Sequence, residues 1–460
     1  MAFPIILINA TGGSDSAASG AGPATALTGS DASTSSDGLT VTLPNADLTN
    51  VATDGSHAVW LNTSSGRQFG RITAKANSGT GSANVTVSEA FGASLSGQSY
   101  AIGGVRASIG SASSRKLIDN ASAAGDAMPG WTIRFQDGHA ESVSASLSIR
   151  RSGDGTGGLI TIEGEPGAAV LPRITMTANA HLFDMRASRL LLRDFEVRNT
   201  AGTKSNAGVF QQNSGSGSPT WIRRIKADHP TENFLRFAFT NTGWAISDCD
   251  IAYCTGRGIE LNFGAATITG NRITFCGTSG IFDNVGNSFI FNNIIAYSGN
   301  HGVEISSAGR SGTVITQNTI HGNTGDGIWL NATGTTNVLI SSNMITRNGA
   351  YGINVDSSAP AGVNRAINVR RNNLFGNTSG AVNPSGYGES TELEPIDGTT
   401  SAAADYAGVT GGTDFTPTNE AVFGNGFPAF ANITPGAIQP AAGGGGTVEL
   451  FRRPARTIGV

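Results

Sequence analysis

Gly258-Ile-Glu-Leu261, Gly280-Ile-Phe-Asp283, Gly302-Val-Glu-Ile305, Gly327-Ile-Trp-Leu330 and Gly352-Ile-Asn-Val355 are five versions of one segment, their glycines 22, 22, 25 and 25 residues apart. A second column, Ile251, Ile273, Ile295, Ile320 and Ile345, repeats with the same four intervals, so a single unit recurs. Asn271, Asn293, Asn318 and Asn343 stand two residues before that column, with Cys249 in the same place in the first unit. A unit this short cannot bury its own apolar face and must stack on its neighbours. Within each unit the apolar residues alternate, Ile328 and Leu330 around Trp329 and Ile353 and Val355 around Asn354, which is the period of a strand. The repeat therefore predicts an all-β, right-handed parallel β-helix solenoid.

A third column, Cys254, Cys276, Ser298, Asn323, Asn348 and Asn377, follows the isoleucines by three residues. Stacked asparagines can bond from coil to coil as they do in cross-β ladders, satisfying polar groups at a turn. Cys254 and Cys276 then fall on adjacent coils. A disulfide is geometrically possible there, but two buried thiols suit the pattern better.

Weaker coils extend upstream through Leu190-Leu-Leu192 with Phe195 and Val197, and through Trp221-Ile222 with Ile225; downstream the pattern fades near Val382. The solenoid is placed at 131–440, with a tail at 441–460. Residues 112 to 125 have helical spacing after Ser113 and Ser114, and they predict a short capping helix within a linker at 106–130. Residues 1–38 form an extended lead, since 10 to 38 are rich in Gly, Ala, Ser and Thr and poor in large apolar side chains. The run Phe3-Pro-Ile-Ile-Leu-Ile8 suits a strand. Alternating runs at Leu39–Leu43, Ala58–Leu61, Gly70–Ala74, Ala83–Val87 and Tyr100–Ile102 predict a small N-terminal β domain at 39–105.

Charged residues make up 13% of the 460, the net charge is -4 and glycine reaches 64. That charge gives no reason to expect nucleic acid as a partner, and the Arg452, Arg453, Arg456 cluster suits a solvated tail. No apolar stretch is long enough for a membrane span. The first residues lack the basic start and cleavage site of a signal peptide. No phosphate loop, His-Glu-x-x-His pattern or calcium repeat is present. Gly153-Asp-Gly-Thr-Gly-Gly158 fits a dinucleotide fingerprint in letters only, because a strand and not a helix comes after it. His301 and His321 occupy different columns, so no metal and no cofactor is expected.

The Asn-x-Ile and Gly-Ile repeats resemble those of the pectate-lyase-like β-helix superfamily over roughly residues 130 to 440. The stretch Asp414-Phe-Thr-Pro417, Gly426-Phe-Pro428 and Gly436-Ala-Ile-Gln439 is similar to closing coils in that superfamily. Lyases, hydrolases, epimerases, adhesins and viral spikes share the fold, so the resemblance implies architecture more than chemistry. The Ser/Thr/Ala/Gly-rich lead and the N-terminal domain resemble the attachment part of bacteriophage tailspikes and fibres. That likeness implies a virion protein, homotrimeric, docked on other virion proteins through its N-terminal region and contacting host surface polysaccharide.

Alternation sends Ile259, Ile281, Val303, Ile328 and Ile353 inward, and therefore Glu260, Phe282, Glu304, Trp329 and Asn354 outward in one stack. Arg257, Ser279, His301, Asp326 and Tyr351 line the neighbouring turn. Acids interleaved with rings suit a glycan groove, so Glu260, Phe282, Glu304, Trp329, His301 and Asp326 are the candidate binding residues. Glu260 and Glu304 stand two coils apart, roughly 9.6 Å at about 4.8 Å per coil. That separation is at the upper edge of the roughly 6.5–9.5 Å of inverting glycosidases. A polysaccharide depolymerase is thus one alternative and a non-catalytic adhesin another; lyase chemistry is disfavoured because no basic cluster with acidic metal ligands shares the face. Asp283 takes a place held elsewhere by Leu261, Ile305, Leu330 and Val355, and a bend in that coil is expected to spare it burial.

Overall fold

The computed structural model describes residues 5–8 and 27–393, the latter with breaks, of which the longest are 111–129, 202–207, 213–218, 307–311, 331–336, 356–366 and 384–391. The expected capping helix, the closing coils at 414–439 and the tail at 441–460 lie outside the described residues. Every regular element among the described residues is a strand. The chain divides into two compact units, residues 1–177 with 186–196 and residues 178–185 with 197–460.

The first unit holds a closed antiparallel barrel. Its strands follow the order Leu27–Thr34, Thr40–Leu43, Ala83–Val87, Gly66–Ala76, His57–Thr63 and Gln98–Gly104. Val41, Leu43, Val59, Leu61, Ile72, Val85 and Ile102 fill its interior, as the alternation of apolar and polar residues requires. Leu27–Thr34, from the stretch read as the extended lead, supplies one of these strands. The same unit carries parallel strands, in which Ile5–Ile8 pairs with Thr132–Phe135, that strand with Ile160–Gly164, and the next with Leu190–Arg193. The barrel is therefore inserted in sequence between two hydrogen-bonded neighbours.

The second unit is built of coils with three short strands each. The Gly-Ile segments form one parallel sheet, in which Ile259–Leu261, Ile281–Asp283, Val303–Ile305, Ile328–Leu330 and Tyr351–Val355 pair in register. The Asn-x-Ile segments form a second, through Asp250–Ala252, Arg272–Thr274, Ile294–Ala296, Thr319–His321 and Met344–Thr346. A third sheet stacks Thr220–Arg223, Asn241–Ser247, Gly264–Thr269, Phe289–Phe291, Val314–Thr316 and Leu339–Ser341. Its own buried file is Ile222, Ile246, Ile268, Ile290, Ile315 and Ile340. Three files of aliphatic side chains, each fully buried, make the core, and each isoleucine contributes about 1.5–3 kcal/mol on leaving water.

The glycine column has a steric cause. A β-carbon on Gly258 would lie 2.6 Å from Cγ2 of Ile273 and 2.5 Å from the carbonyl oxygen of Gly280. The two columns found in the sequence therefore meet inside the coil.

Asparagine ladders secure the turns. Asn271 Nδ2 donates to Asn293 Oδ1 at 2.9 Å, Asn293 to Asn318 at 3.0 Å, Asn318 to Asn343 at 3.0 Å and Asn343 to Asn372 at 2.9 Å. In the third column Asn323 donates to Asn348 and Asn348 to Asn377, each at 2.9 Å. Cys249, Cys254 and Cys276 are buried free thiols. Burial pushes the Cys249 thiol up to about 12 and that of Cys254 well above its ordinary value.

Asp283 departs from expectation, because the coil does not bend there. Its partners are Leu261 on one side and Ile305 on the other, and the side chain is fully buried. The carboxylate is tolerated because the backbone turns back to it: Oδ1 accepts the N–H groups of Val285 (2.9 Å) and Gly286 (3.0 Å), and Oδ2 accepts the Thr313 hydroxyl at 3.2 Å. Burial nonetheless raises its affinity for a proton, against these hydrogen bonds.

Candidate functional site

The non-core residues of the Gly-Ile sheet lie in one file along the stack. Cα register runs Asp184, Gln211, Arg236, Glu260, Phe282, Glu304, Trp329, Asn354. Because each is flanked along its strand by buried residues on either side, strand alternation turns it away from the interior.

The upstream part of the file is closed. Glu260 is only 6% exposed. Its Oε1 accepts Arg257 Nη1 at 3.0 Å and Asn262 Nδ2 at 2.8 Å, its Oε2 accepts Asn233 Nδ2 at 2.8 Å, and Arg236 Nε lies 3.4 Å from Oε2. Two guanidinium groups and two amides thus occupy both oxygens, leaving little room for the proton traffic of an acid or base. Phe282 is also covered, with the Arg257 guanidinium carbon 3.6 Å from its ring centroid. Both residues turn away from the core, yet neither offers an open surface.

The downstream part is open. Glu304, Trp329 and Asn354 are half-buried. Ser279, itself buried, donates its hydroxyl to Glu304 Oε2 and holds that carboxylate in place. The His301 ring stacks on the Trp329 indole, centroids 5.1 Å apart and planes within 9°. The backbone N–H of Asp326 donates to His301 Nδ1 at 3.0 Å, which assigns the ring proton of neutral His301 to Nε2. The Asp326 carboxylate lies 3.4 Å from the same nitrogen. With Nδ1 serving as acceptor, that contact is not an ion pair. Burial lowers the His301 pKa, and the nearby Asp326 and Glu304 charges oppose the shift in part. Asp326 accepts the Tyr351 N–H at 2.8 Å and the Asn354 amide at 3.0 Å. The structure therefore brings together Ser279, His301, Glu304, Asp326, Trp329 and Asn354, and it walls off Glu260 and Phe282.

A second feature escaped sequence reasoning. At the turn after the Asn-x-Ile strand, His229, Tyr253, Phe275 and Tyr297 stack ring on ring at 4.6, 5.0 and 5.1 Å. All four have positive φ, a conformation that bulky residues rarely adopt, and Gly322 and Gly376 adopt it at the equivalent turns further along. The rings face one another, so the column staples successive turns. No group of three or more His, Cys, Asp or Glu side chains among the described residues could hold a metal ion.

Comparison with known proteins bears on the fold. No curated protein matches the chain. Among solved structures, the Dettilon tailspike protein is similar over 55% of this chain and 49% of its own, at 14% identity and a TM-score of 0.43. The A-module of an Azotobacter vinelandii mannuronan C-5 epimerase is similar over 59% of this chain and 69% of its own (17% identity, TM-score 0.37). A pectate lyase is similar over 62% and 77% (14% identity, TM-score 0.37). The chain thus spans about half the length of the tailspike. Residues 237–394 match the family model described as right handed beta helix region. That stretch spans the coils of the Gly-Ile and Asn-x-Ile repeats, and the chain carries a right-handed parallel β-helix there.

Proposed function

We propose that the β-helix binds polysaccharide of a host cell surface along the open part of the Gly-Ile file, in a bacteriophage virion protein of tailspike or fibre type. The observation that carries this reading is the half-buried Glu304, Trp329, Asn354 file with half-buried His301 and buried Asp326 beside it, held in position by Ser279 and the backbone. A pre-positioned ring edged by carboxylate and amide groups is what a sugar needs, apolar contact for its C–H face and acceptors for its hydroxyls. In this reading the domain at 39–105 docks on other virion proteins and the assembly is a homotrimer. Purified particles test it: the chain copurifies with them in a copy number divisible by three, and Trp329→Ala particles lose adsorption. A chain absent from particles would refute the virion role.

Cleavage is the second reading, favoured by the hydrogen bond that fixes Glu304 beside a neutral, half-buried His301. Glu304 then carries the proton, in place of a Glu260 whose oxygens are taken. Incubation with the host's own polysaccharide, followed by an assay for new chain ends, decides it: Glu304→Gln abolishes release and retains binding. An inert wild type leaves binding alone.

A further inference from the structure

Resting on the glycan-binding reading of this face, we propose that its ligand is an uncharged polysaccharide, one without uronate, sulfate or phosphate groups. The argument is the charge that a chain lying along the file would meet. From Ser279 to Asn354 the described side chains of the file and its flanking turn are Ser279, Phe282, His301, Glu304, Asp326, Trp329, Tyr351 and Asn354. They include two carboxylates, the half-buried Glu304 and the buried Asp326, and no lysine or arginine.

The nearest cation, Arg257 of the preceding coil, pairs through Nη1 with Glu260 and lies over the face of Phe282, so its charge is directed at the closed part of the file. His301 offers no charge, since its Nδ1 lone pair is taken by the Asp326 N–H and the ring is partly buried. Recognition of a carboxylate or phosphate calls for guanidinium, ammonium or converging N–H donors, none of which faces this groove among the described residues. A polyanion laid here would instead bring its charges against Glu304, with the buried Asp326 charge behind it, beside a low-dielectric wall. A neutral sugar meets no such penalty. Its hydroxyls donate to Glu304 and accept from the His301 Nε2–H.

The test uses the full chain on a microarray of purified bacterial surface polysaccharides of known composition, uncharged and uronate-bearing, with Trp329→Ala and a Glu304→Gln/Asp326→Asn double variant in parallel. Binding to uncharged polysaccharides alone, weakened at least roughly tenfold by Trp329→Ala and unaffected by salt, is the expected result. The double variant is expected to gain binding to uronate-bearing chains. Wild-type binding to uronate-bearing polysaccharides as strong as to uncharged ones, or a double variant that gains none, would overturn the inference while leaving glycan binding in place. Binding to no polysaccharide, or binding indifferent to Trp329→Ala in a protein with an unchanged circular dichroism spectrum, would bring down the glycan-binding reading and the inference with it.

Discussion

The γ2 methyl of Ile320 occupies the space that a β-carbon on Gly302 would need. The same β-carbon would lie 2.6 Å from the carbonyl oxygen of Gly327, so backbone as well as side chain blocks it. Gly302→Ala is therefore expected to destabilise the β-helix by about 1–3 kcal/mol, the cost of overpacking a closed core. Urea denaturation checks it, and an unchanged midpoint would refute the packing described.

The ladder residue Asn318 is held by five side-chain contacts, its two Nδ2 protons being shared among three acceptors. Its Oδ1 accepts the backbone and side-chain amides of Asn293, and its Nδ2 donates to Ile290 O, Thr316 O and Asn343 Oδ1. Removing it leaves several buried groups without partners in neighbouring coils. Asn318→Ala is expected to cost roughly 3–5 kcal/mol, more than a single hydrogen bond, because unmade bonds here carry their full desolvation penalty. The half-buried Asn354 provides the comparison, and its alanine variant is expected to lose far less on thermal unfolding.

How far the sequence reveals this structure depends on whether each column has an invariant anchor. Gly302 and Ile320 belong to columns in which one residue type is forced by contact with the other, and their intervals expose the coil directly. The third sheet has an equally buried file, Ile246, Ile268, Ile290 and Ile315, but its neighbouring positions change from coil to coil, Ser247, Thr269, Phe291 and Thr316 among them, so nothing fixes its register by eye. Closure over Glu260 was hidden for a different reason. Arg236 comes from a strand, Asn233–Phe237, that lacks the Gly-Ile signature, and Arg257 reaches in from a turn, and neither approach can be deduced from alternation. The Tyr253, Phe275 and Tyr297 column sits at positive φ, where rules of local conformation favour glycine and steer attention away from rings.

Buried Asp283 supports a sharper mutational contrast. Asp283→Ala leaves the N–H groups of Val285 and Gly286 unpaired and is expected to cost about 2–4 kcal/mol. Asp283→Asn keeps an oxygen for those donors and sheds a charge that burial penalises, so its cost is expected to be small. Equal losses in the two variants would show that the charge itself stabilises the turn.

The two glutamates of the file are expected to separate by phenotype. Glu260→Gln breaks a buried carboxylate out of contact with Arg236 and Arg257 and is expected to cost roughly 3 kcal/mol of stability. Glu304→Gln retains an acceptor for Ser279 and is expected to stay within about 1 kcal/mol of wild type while altering glycan binding or cleavage. Thermal unfolding and polysaccharide binding measured on both variants check the split; a stability loss at Glu304 equal to that at Glu260 would contradict it.

Acid sensitivity should trace to His321. The ring is buried, pairs through Nδ1 with the Thr346 hydroxyl at 2.9 Å, and meets the edge of Tyr297. Burial, with the Arg347 charge adding to it, lowers its pKa from 6.5 to about 4. The unfolded chain takes up a proton near 6.5 and the folded one only near 4, so the unfolded state binds more protons throughout that interval. Stability is whole above pH 6.5, falls as the pH drops from about 6.5 to about 4, and levels off below, a loss of roughly 3 kcal/mol from this residue. His301, whose pKa is also lowered by burial, contributes with the same sign. Thr274 and Thr346 occupy the equivalent position in other coils, which makes His321→Thr a replacement the coil already accommodates. Chemical denaturation at pH 7 and pH 4 is expected to show a smaller difference for His321→Thr than for wild type, and an unchanged difference would mean that the acid response has its source elsewhere in the chain.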